Sequence, residues 1–378
     1  MNVAFRVDAS NEIGTGHFMR CLTLADALKQ RDAGIRFVSR HMPPYLRGLL
    51  SAKGYAFVPL NSISSEDANN PLSHAHWLGT GQLADARDAI QVLSDQAWDW
   101  LVVDHYALDA RWESALRQTA QNILVIDDIA DRQHDCNILL DQNYYRDMDQ
   151  RYQGLLPEQC VTLLGPAYVL LRPEFAEAKQ RLKTRDGAVK RILVFFGGSD
   201  PCNQTQKVVE ALQQLNRPDI DVDVVVGPTN FNRDAVQALC EKLPNVTFHC
   251  QISNMAELIL NADLGIGAGG SAMWERCHLG LPTITVVLAA NQLRTTEDVA
   301  EIGAIKYLGW SDLLMSRDYA QAIAEMIDNP QQTKLIGDAA LGVLQTTSIS
   351  VADIMHSLVH EGVSHHFSDC ADAETGHI

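Results

Sequence analysis

One pattern constrains this chain more than any other, and it runs twice. Short apolar runs rich in β-branched residues alternate with helical patterns, stop, and start again. In the first half the strand candidates are VAFRV (3–7), IRFVS (35–39), YAFVPL (55–60), WLVVDH (100–105), NILVIDD (122–128) and NILLDQ (137–142), with helical stretches between them such as 17–32 and 80–97. Continuous apolar strands separated by helices predict a parallel sheet covered on both faces, because a strand buried on both sides has no polar face to alternate with. From 144 to 190 the texture changes to Tyr, Arg, Gln and Pro, with one short apolar piece, CVTLLG, inside. The alternation resumes with RILVFFGG (191–198), DVDVVVG (221–227), VTFHC (246–250), ADLGIGAGG (262–270) and PTITVVL (282–288). Helical patterns there fall at 203–215, 231–243, 255–261, 271–279, 292–303, 316–328 and 330–345.

The repeat predicts an α/β chain of two Rossmann-like domains. The expected division is 1–155, a crossing segment over 156–190, a second domain over 191–347, and a C-terminal helix and tail over 348–378. The final stretch, EGVSHHFSDCADAETGHI, has no period and reads as a mobile tail with solvated histidines. In open α/β sheets ligands bind beyond the carboxyl ends of the strands. Two such sheets facing each other make an inter-domain cleft, so functional residues are expected after strands in both halves.

Composition narrows the partners. A net charge of −17 disfavours non-specific binding to nucleic acid or to an anionic membrane. An anionic ligand must then be held by backbone dipoles and a few side chains. No apolar run reaches membrane-spanning length, and MNVAFRVDA reads as a strand, not a leader. The expectation is a cytoplasmic monomer that engages neither membrane nor nucleic acid. The eight cysteines are scattered without C-x-x-C spacing, so they read as buried filler, not as a zinc or redox motif.

The first motif follows the first strand. In RVDASNEIGTGHFMRCLTLADAL (6–28) a glycine loop runs into a helix that begins near His17. Gly14, Thr15 and Gly16 permit a tight turn, and a helix N-terminus offers unpaired N–H groups to a phosphate or sugar. Met19 stands where the third glycine of a dinucleotide fingerprint would fall. A positive helix end favours a neutral ring at His17, which can take a proton from water as a general base. The alternative is a loop histidine that caps or packs. Asp8 and Glu12 are its acidic neighbours in sequence, and the sequence does not choose between them. Arg20, one turn in, either forms a salt bridge or reaches a phosphate. Met19, Leu22, Leu24, Ala25 and Leu28 have the spacing of a buried helix face.

The second half carries a shelf. FFGGSDPCN (195–203) places Gly197, Gly198 and Ser199 at a strand's carboxyl end, with Asp200 and Pro201 expected as cap and first residue of a helix. In GIGAGGSAMWERCHLGLPTITV (265–286) a strand ends at Gly269, Gly270 and Ser271 and a helix begins. The N–H groups there, with the Ser271 hydroxyl, can hold a diphosphate without a basic residue. Glu275, one turn down the same face, can accept from two vicinal ribose hydroxyls; the alternative is a surface glutamate. Asn291 and Gln292 open the next helix, Asn291 either as its cap or as a ligand contact.

With these residues assembled the sequence resembles a family. DASNEIGTGHFMRCLTLA, VVDHY (102–106), FFGGSDP (195–201), GAGGSAMWERCHLGLP (267–282) and Asn291-Gln292 look like the PseG family. These are the UDP-2,4-diacetamido-2,4,6-trideoxy-β-L-altropyranose hydrolases of pseudaminic acid biosynthesis. The match is collinear over about residues 1–345, and its opening motif is the most specific part. The glycine–serine–glutamate shelf is shared with MurG-like transferases. The resemblance implies a GT-B-like fold, a UDP-sugar in the cleft, no metal and no cofactor. It implies hydrolysis of the anomeric C–O bond, with His17 as the base, Tyr106 lining the sugar site, Gly269, Gly270, Ser271 and Glu275 at the UDP, and Asn291 in the active site. A nucleoside diphosphate leaves without being protonated, so one base suffices and inversion is expected. The rival readings are a MurG-like UDP-sugar glycosyltransferase, a UDP-sugar 2-epimerase, a Rossmann oxidoreductase and a non-catalytic UDP-sugar binding protein.

Overall fold

The computed structural model describes residues 1–10, 12–60, 71–344 and 349–360, and the structural statements below concern these. The tail expected over 361–378, with its histidines, lies outside the described residues.

Two parallel sheets carry the chain. The first has seven strands: β1 (Asn2–Val7), β2 (Gly34–Ser39), β3 (Ala56–Pro59), β4 (Trp98–Asp104), β5 (Ala120–Ile126), β6 (Ile138–Asp141) and β7 (Val161–Leu164), in the order β3-β2-β1-β4-β5-β6-β7. The second has six: β8 (Arg191–Phe195), β9 (Asp221–Val226), β10 (Val246–Cys250), β11 (Leu264–Ala268), β12 (Thr283–Val287) and β13 (Lys306–Trp310), in the order β10-β9-β8-β11-β12-β13. The order reverses direction after β1 in one sheet and after β8 in the other. Such switch points, where neighbouring connections leave on opposite faces, open the crevices in which α/β ligands sit.

Helices cover both faces, as burial on both sides requires. In the first domain these are α1 (Gly16–Lys29), α2 (Pro44–Ala52), α3 (Gln82–Leu93) and α4 (Ala110–Leu116). Val3, Phe5 and Val7 of β1 pack with Phe18, Leu22 and Leu50 on one face, while Ala4 joins Ala86, Ala89 and Trp112 on the other. Phe5 stacks on Phe37 of the neighbouring strand with ring centroids 4.9 Å apart. The arginine inside β1 is buried too. Arg6 is held by Asp8 and by Asp85 at 2.7 and 2.8 Å, so its charge is compensated where no water reaches it.

The second domain is covered by α5 (Pro173–Lys179), α6 (Gln204–Leu215), α7 (Arg233–Cys240), α8 (Met255–Asn261), α9 (Ser271–His278), α10 (Ala290–Glu301), α11 (Ser316–Asp328) and α12 (Pro330–Val343). The last helix, α13 (Val351–His360), returns to the first domain. There Val351, Ile354 and Met355 join the β1 core, and the Trp100 indole N–H donates to the Met355 carbonyl at 3.1 Å.

The crossing segment is shorter than the expected 156–190. Val161–Leu164 pairs with β6 and closes the first sheet. Phe175 and Ala178 of α5 are already buried against Met255 and Ile259 of the second domain. Arg185 then donates to the carbonyls of Ile259, Ala262 and Leu279, tying down the ends of α8 and α9.

Candidate active site

The site grows from the loop after β1. Ser10 and Gly14 form a bridge, with the Gly14 N–H on the Ser10 carbonyl at 2.9 Å. Gly14 takes φ +76°, a backbone conformation that favours glycine. Thr15 stands at the N-cap position and α1 begins at Gly16, so His17 lies on the first turn. A Cβ placed on Gly16 would lie 3.4 Å from the Ser271 Oγ, and one on Gly198 would lie 3.6 Å from the Thr15 Oγ1. The three glycine segments singled out in the sequence therefore converge across the cleft, and the starts of α1 and α9 meet there.

His17 is buried and has a partner. Its Nδ1 lies 2.5 Å from Asp104 Oδ1. That contact assigns the ring proton to Nδ1 and leaves Nε2 as an acceptor. Neither sequence neighbour does this. Asp8 accepts from Arg6, Ser39 and the Arg40 N–H, and Glu12 pairs with His76. Asp104 ends β4, and the register of the sheet sets it beside Val7 of β1, next to the loop that carries His17. Burial alone would push the Asp104 carboxyl up, but Arg20 and His17 hold it well below the usual carboxylate range. It therefore stays ionised behind the ring and can stabilise an imidazolium.

Arg20 stands behind the base. Its Nε and Nη2 donate to Asp104 at 2.6 and 2.7 Å, and its Nη1 donates to Asp128 at 2.8 Å. The open choice at this position resolves to the salt bridge: the guanidinium is engaged by two carboxylates, which corrects its place among ligand contacts. Tyr106 is also buried. It donates its hydroxyl to Asp128 and accepts from Asn291 Nδ2 at 3.0 Å across the cleft. Burial and the Asp128 charge push that hydroxyl well above its usual range, so it remains a phenol. His105 packs inside as a structural residue, accepting from the Ala107 N–H.

An aromatic wall that the sequence did not reveal flanks the base. The rings of His17 and Tyr106 meet edge-on at 4.7 Å, Trp77 stacks on Tyr106 at 5.6 Å, and His74 lies 5.1 Å from Tyr106. His74 and Trp77 come from a 3-10 turn at Ala75–Leu78, too short to leave a periodic signal.

On the opposite side β11 ends at Ala268, and Gly269 and Gly270 lead into α9. A Cβ on Gly269 would fall 2.1 Å from Thr296 Oγ1, so only glycine lets this turn press against α10. Ser271 is exposed at the start of α9, whose first N–H groups have no partner within the helix. Glu275 is not the surface glutamate of the alternative: it is half-buried, and one oxygen accepts from Arg172 at 3.1 Å. Burial pushes Glu275 up and Arg172 opposes this. Asn291 is not a cap: Ala289 holds that position, and Asn291 reaches Tyr106 instead. Gln292 accepts from the Leu288 N–H at 3.0 Å. Gly197, at φ +94°, Gly198 and Ser199 are half-buried after β8. Asp200 is not the N-cap expected, because Asn203 holds that position, yet its side chain still serves the helix start. Its carboxylate accepts from Gln204 and Thr205 N–H, and the helix starts at Gln204 rather than at Pro201.

Among the described residues no group of three or more His, Cys, Asp or Glu is disposed to hold a metal ion. No helix among them is long and apolar enough to cross a membrane.

Comparison with known proteins places this geometry. Residues 192–346 match the glycosyltransferase family 28 C-terminal domain. The chain is 27% identical over 310 residues to the uncharacterized protein MJ1062 of Methanocaldococcus jannaschii, a match covering 78% of this chain and 57% of that protein. The chain thus spans little more than half the length of that relative. It is 26% identical over 306 residues to the UDP-2,4-diacetamido-2,4,6-trideoxy-beta-L-altropyranose hydrolase of Campylobacter jejuni, covering 80% of this chain and 97% of that protein. Among solved structures, MurG of Acinetobacter baumannii superposes with a TM-score of 0.59 at 16% identity, covering 95% of this chain and 98% of that one. The two facing sheets are those of a GT-B-like fold, the second domain matches the family 28 C-terminal domain, and most of the chain is similar to the Campylobacter jejuni hydrolase.

Proposed function

We propose that this protein is a nucleotide-sugar enzyme that breaks the anomeric C–O bond of a UDP-sugar, with His17 as the base and water as the nucleophile. One observation carries the reading. A histidine oriented by a buried, ionised aspartate stands on the first turn of α1, where that turn meets the Gly-Gly-Ser start of α9. The α9 terminus suits a diphosphate, whose developing charge it stabilises as the bond breaks. Nε2 of His17 is then on the side from which water attacks C1, opposite the leaving group, and the sugar is released inverted. Glu275 serves the ribose, and Asn291 and Tyr106 line the sugar pocket. The hydrolase relative, matched over almost its whole length, supports water as the acceptor and a 2,4-diacetamido-2,4,6-trideoxy sugar as the substrate.

A second reading has its own support. The family 28 domain and MurG point to transfer onto a hydroxyl acceptor, which would use the same base and the same shelf. His17→Leu tests what the two share. Turnover is lost while UDP, measured by calorimetry, still binds. Retained turnover, or loss of UDP binding, contradicts the role given to the base. Acceptor dependence of UDP release separates water from a hydroxyl.

A further inference from the structure

Nothing in the pattern of the sequence singles out Asp128, just beyond β5, and neither the base nor the shelf uses it directly. Three side chains nevertheless converge on it. Its Oδ2 accepts from Arg20 Nη1 at 2.8 Å and from Asn143 Nδ2 at 3.2 Å, and its Oδ1 accepts from the Tyr106 hydroxyl. Each donor leads onward. Arg20 holds Asp104, and through it the His17 ring. Tyr106 packs edge-on against that ring and accepts from Asn291 of α10. Asn143 accepts the indole N–H of Trp274 at 2.8 Å, and Trp274 is the residue before Glu275 on α9. Both of these hydrogen bonds come from the second domain, and each ends on a residue that itself donates to Asp128.

We propose that Asp128 is a positioning residue through which the seating of the second domain sets the base. The inference rests on the reading of His17 as the base and of α9 as the nucleotide site. The physical reason is the placement of Arg20, whose single positive charge is shared between two buried carboxylates. In a low-dielectric site each member of such a network strengthens the others, and removing one donor reweights the rest. With Tyr106 and Asn143 in place, Asp128 is fully satisfied and fixes one edge of the guanidinium. The other edge then fixes Asp104 and the ring tautomer. If α9 and α10 move away, Asp128 keeps Arg20 but loses the support of the donors that hold its own orientation. The base is then set only when the nucleotide domain is docked.

The test uses the full chain and the variants Asp128→Asn, Asn143→Ala and Trp274→Phe. The first arm needs no substrate: the His17 ring is followed by NMR as pH is varied. The titratable groups facing it are Asp104 on β4, Arg20 on α1, Tyr106 after β4 and His74 from the 3-10 turn. Asp128→Asn removes a negative charge beyond Arg20, which disfavours the imidazolium, and the midpoint moves to lower pH by about half a unit or more. The second arm reads kcat with the UDP-sugar and UDP affinity by calorimetry. Trp274→Phe, which removes only the indole N–H, lowers kcat by about fivefold and leaves UDP affinity unchanged. In an Asp128→Asn background the same change adds nothing, because the link is already cut. An unmoved His17 titration in folded Asp128→Asn, or independent multiplication of the two effects, overturns the proposal. Should Asp128→Asn fail to fold, Asn143→Ala replaces it: changed His17 ring signals and non-additivity with Trp274→Phe support the link, and their absence overturns it. A wild type that moves no UDP-sugar while the NMR arm behaves as expected defeats the functional reading and leaves the positional link standing.

Discussion

Replacing Asp104 by Asn keeps the volume of the side chain and removes its charge. The structure sets the size of the effect. The carboxylate accepts from His17 Nδ1 at 2.5 Å, Arg20 Nε at 2.6 Å, Arg20 Nη2 at 2.7 Å and, weakly, Cys21 Sγ at 3.6 Å, and its side chain is fully buried. An amide offers one oxygen and one NH2, so at least one of those donors must face another donor. A buried hydrogen bond to a charged group contributes about 1.5–3 kcal/mol, and that much stability is expected to be lost. The chemical loss is larger. With the NH2 turned to the ring, His17 takes the other tautomer and presents N–H to the cleft where a lone pair is needed. Mis-set tautomers behind a general base cost about 10²–10⁴ in kcat, which is roughly 3–5 kcal/mol of barrier. The assay is initial-rate release of UDP from the UDP-sugar, with UDP affinity by calorimetry and folding by thermal melting. A folded Asp104→Asn protein with normal UDP affinity and kcat within threefold of wild type would refute the dyad.

Three further outcomes follow from the same structure. Arg6→Ala leaves Asp8 buried without its arginine and Asp85 with Arg40 alone, and is expected to destabilise by about 3–5 kcal/mol in urea unfolding; a loss below about 1 kcal/mol contradicts the compensation. Gly269→Ala puts a methyl 2.1 Å from Thr296 Oγ1, shifts the Gly-Gly-Ser turn and weakens UDP binding by about tenfold or more, so unchanged affinity removes that turn from the nucleotide site. Two neighbouring aspartates give opposite pH dependences. Burial would raise Asp127, but Arg132 and His134 hold it down to about 2, below its unfolded value near 4, so its contribution is present above about pH 4 and is lost as pH falls toward 2. Burial and the Asp128 charge push Asp141 up to about 8, so the fold binds a proton that the unfolded chain releases, and stability falls as pH rises from about 4 to 8. In urea unfolding across pH, Asp127→Asn flattens the acid limb and Asp141→Asn flattens the decline toward 8. An unchanged slope in either variant contradicts the corresponding protonation state.

The architecture was legible where the local signal was strong. Leu101 to Val103 is a continuous apolar run, and Val3 to Val7 and Val222 to Val226 are each broken by one charged residue, Arg6 and Asp223; such runs fit buried parallel strands. What escaped was short or lacked a period. Val161–Leu164 is four residues long and sits among Tyr and Gln, and Lys306–Trp310 is a half-buried edge strand whose ladder slips beside Thr285 and Val286. Helices Pro44–Ala52 and Ala110–Leu116 are likewise too short to stand out. That α13 docks on the first domain is a tertiary fact, which no local pattern encodes. The same division holds at the site. His17 and Ser271 sit in glycine-marked turns after strands, where a helix start has a chemical signature, and Asn291 opens the helix after the next strand. Asp104 lies in the VVDHY motif, but its pairing with His17 depends on which strands are neighbours, and sequence proximity favours Asp8 and Glu12. Asp128 acts through Arg20, Tyr106 and Asn143, which only the sheet order brings to it, and His74 and Trp77 stand at one short 3-10 turn, so the sequence holds no local trace of their role.

The proposed reaction is defined by which bond breaks and what attacks it. The direct measurement is turnover of UDP-2,4-diacetamido-2,4,6-trideoxy-β-L-altropyranose in oxygen-18 water without any acceptor, with UDP-GlcNAc as the comparison substrate and mass spectrometry of both products. Attack of His17-activated water at C1 puts the label in the free sugar and none in UDP. Label in the nucleotide, or UDP released only after a hydroxyl acceptor is added, contradicts it.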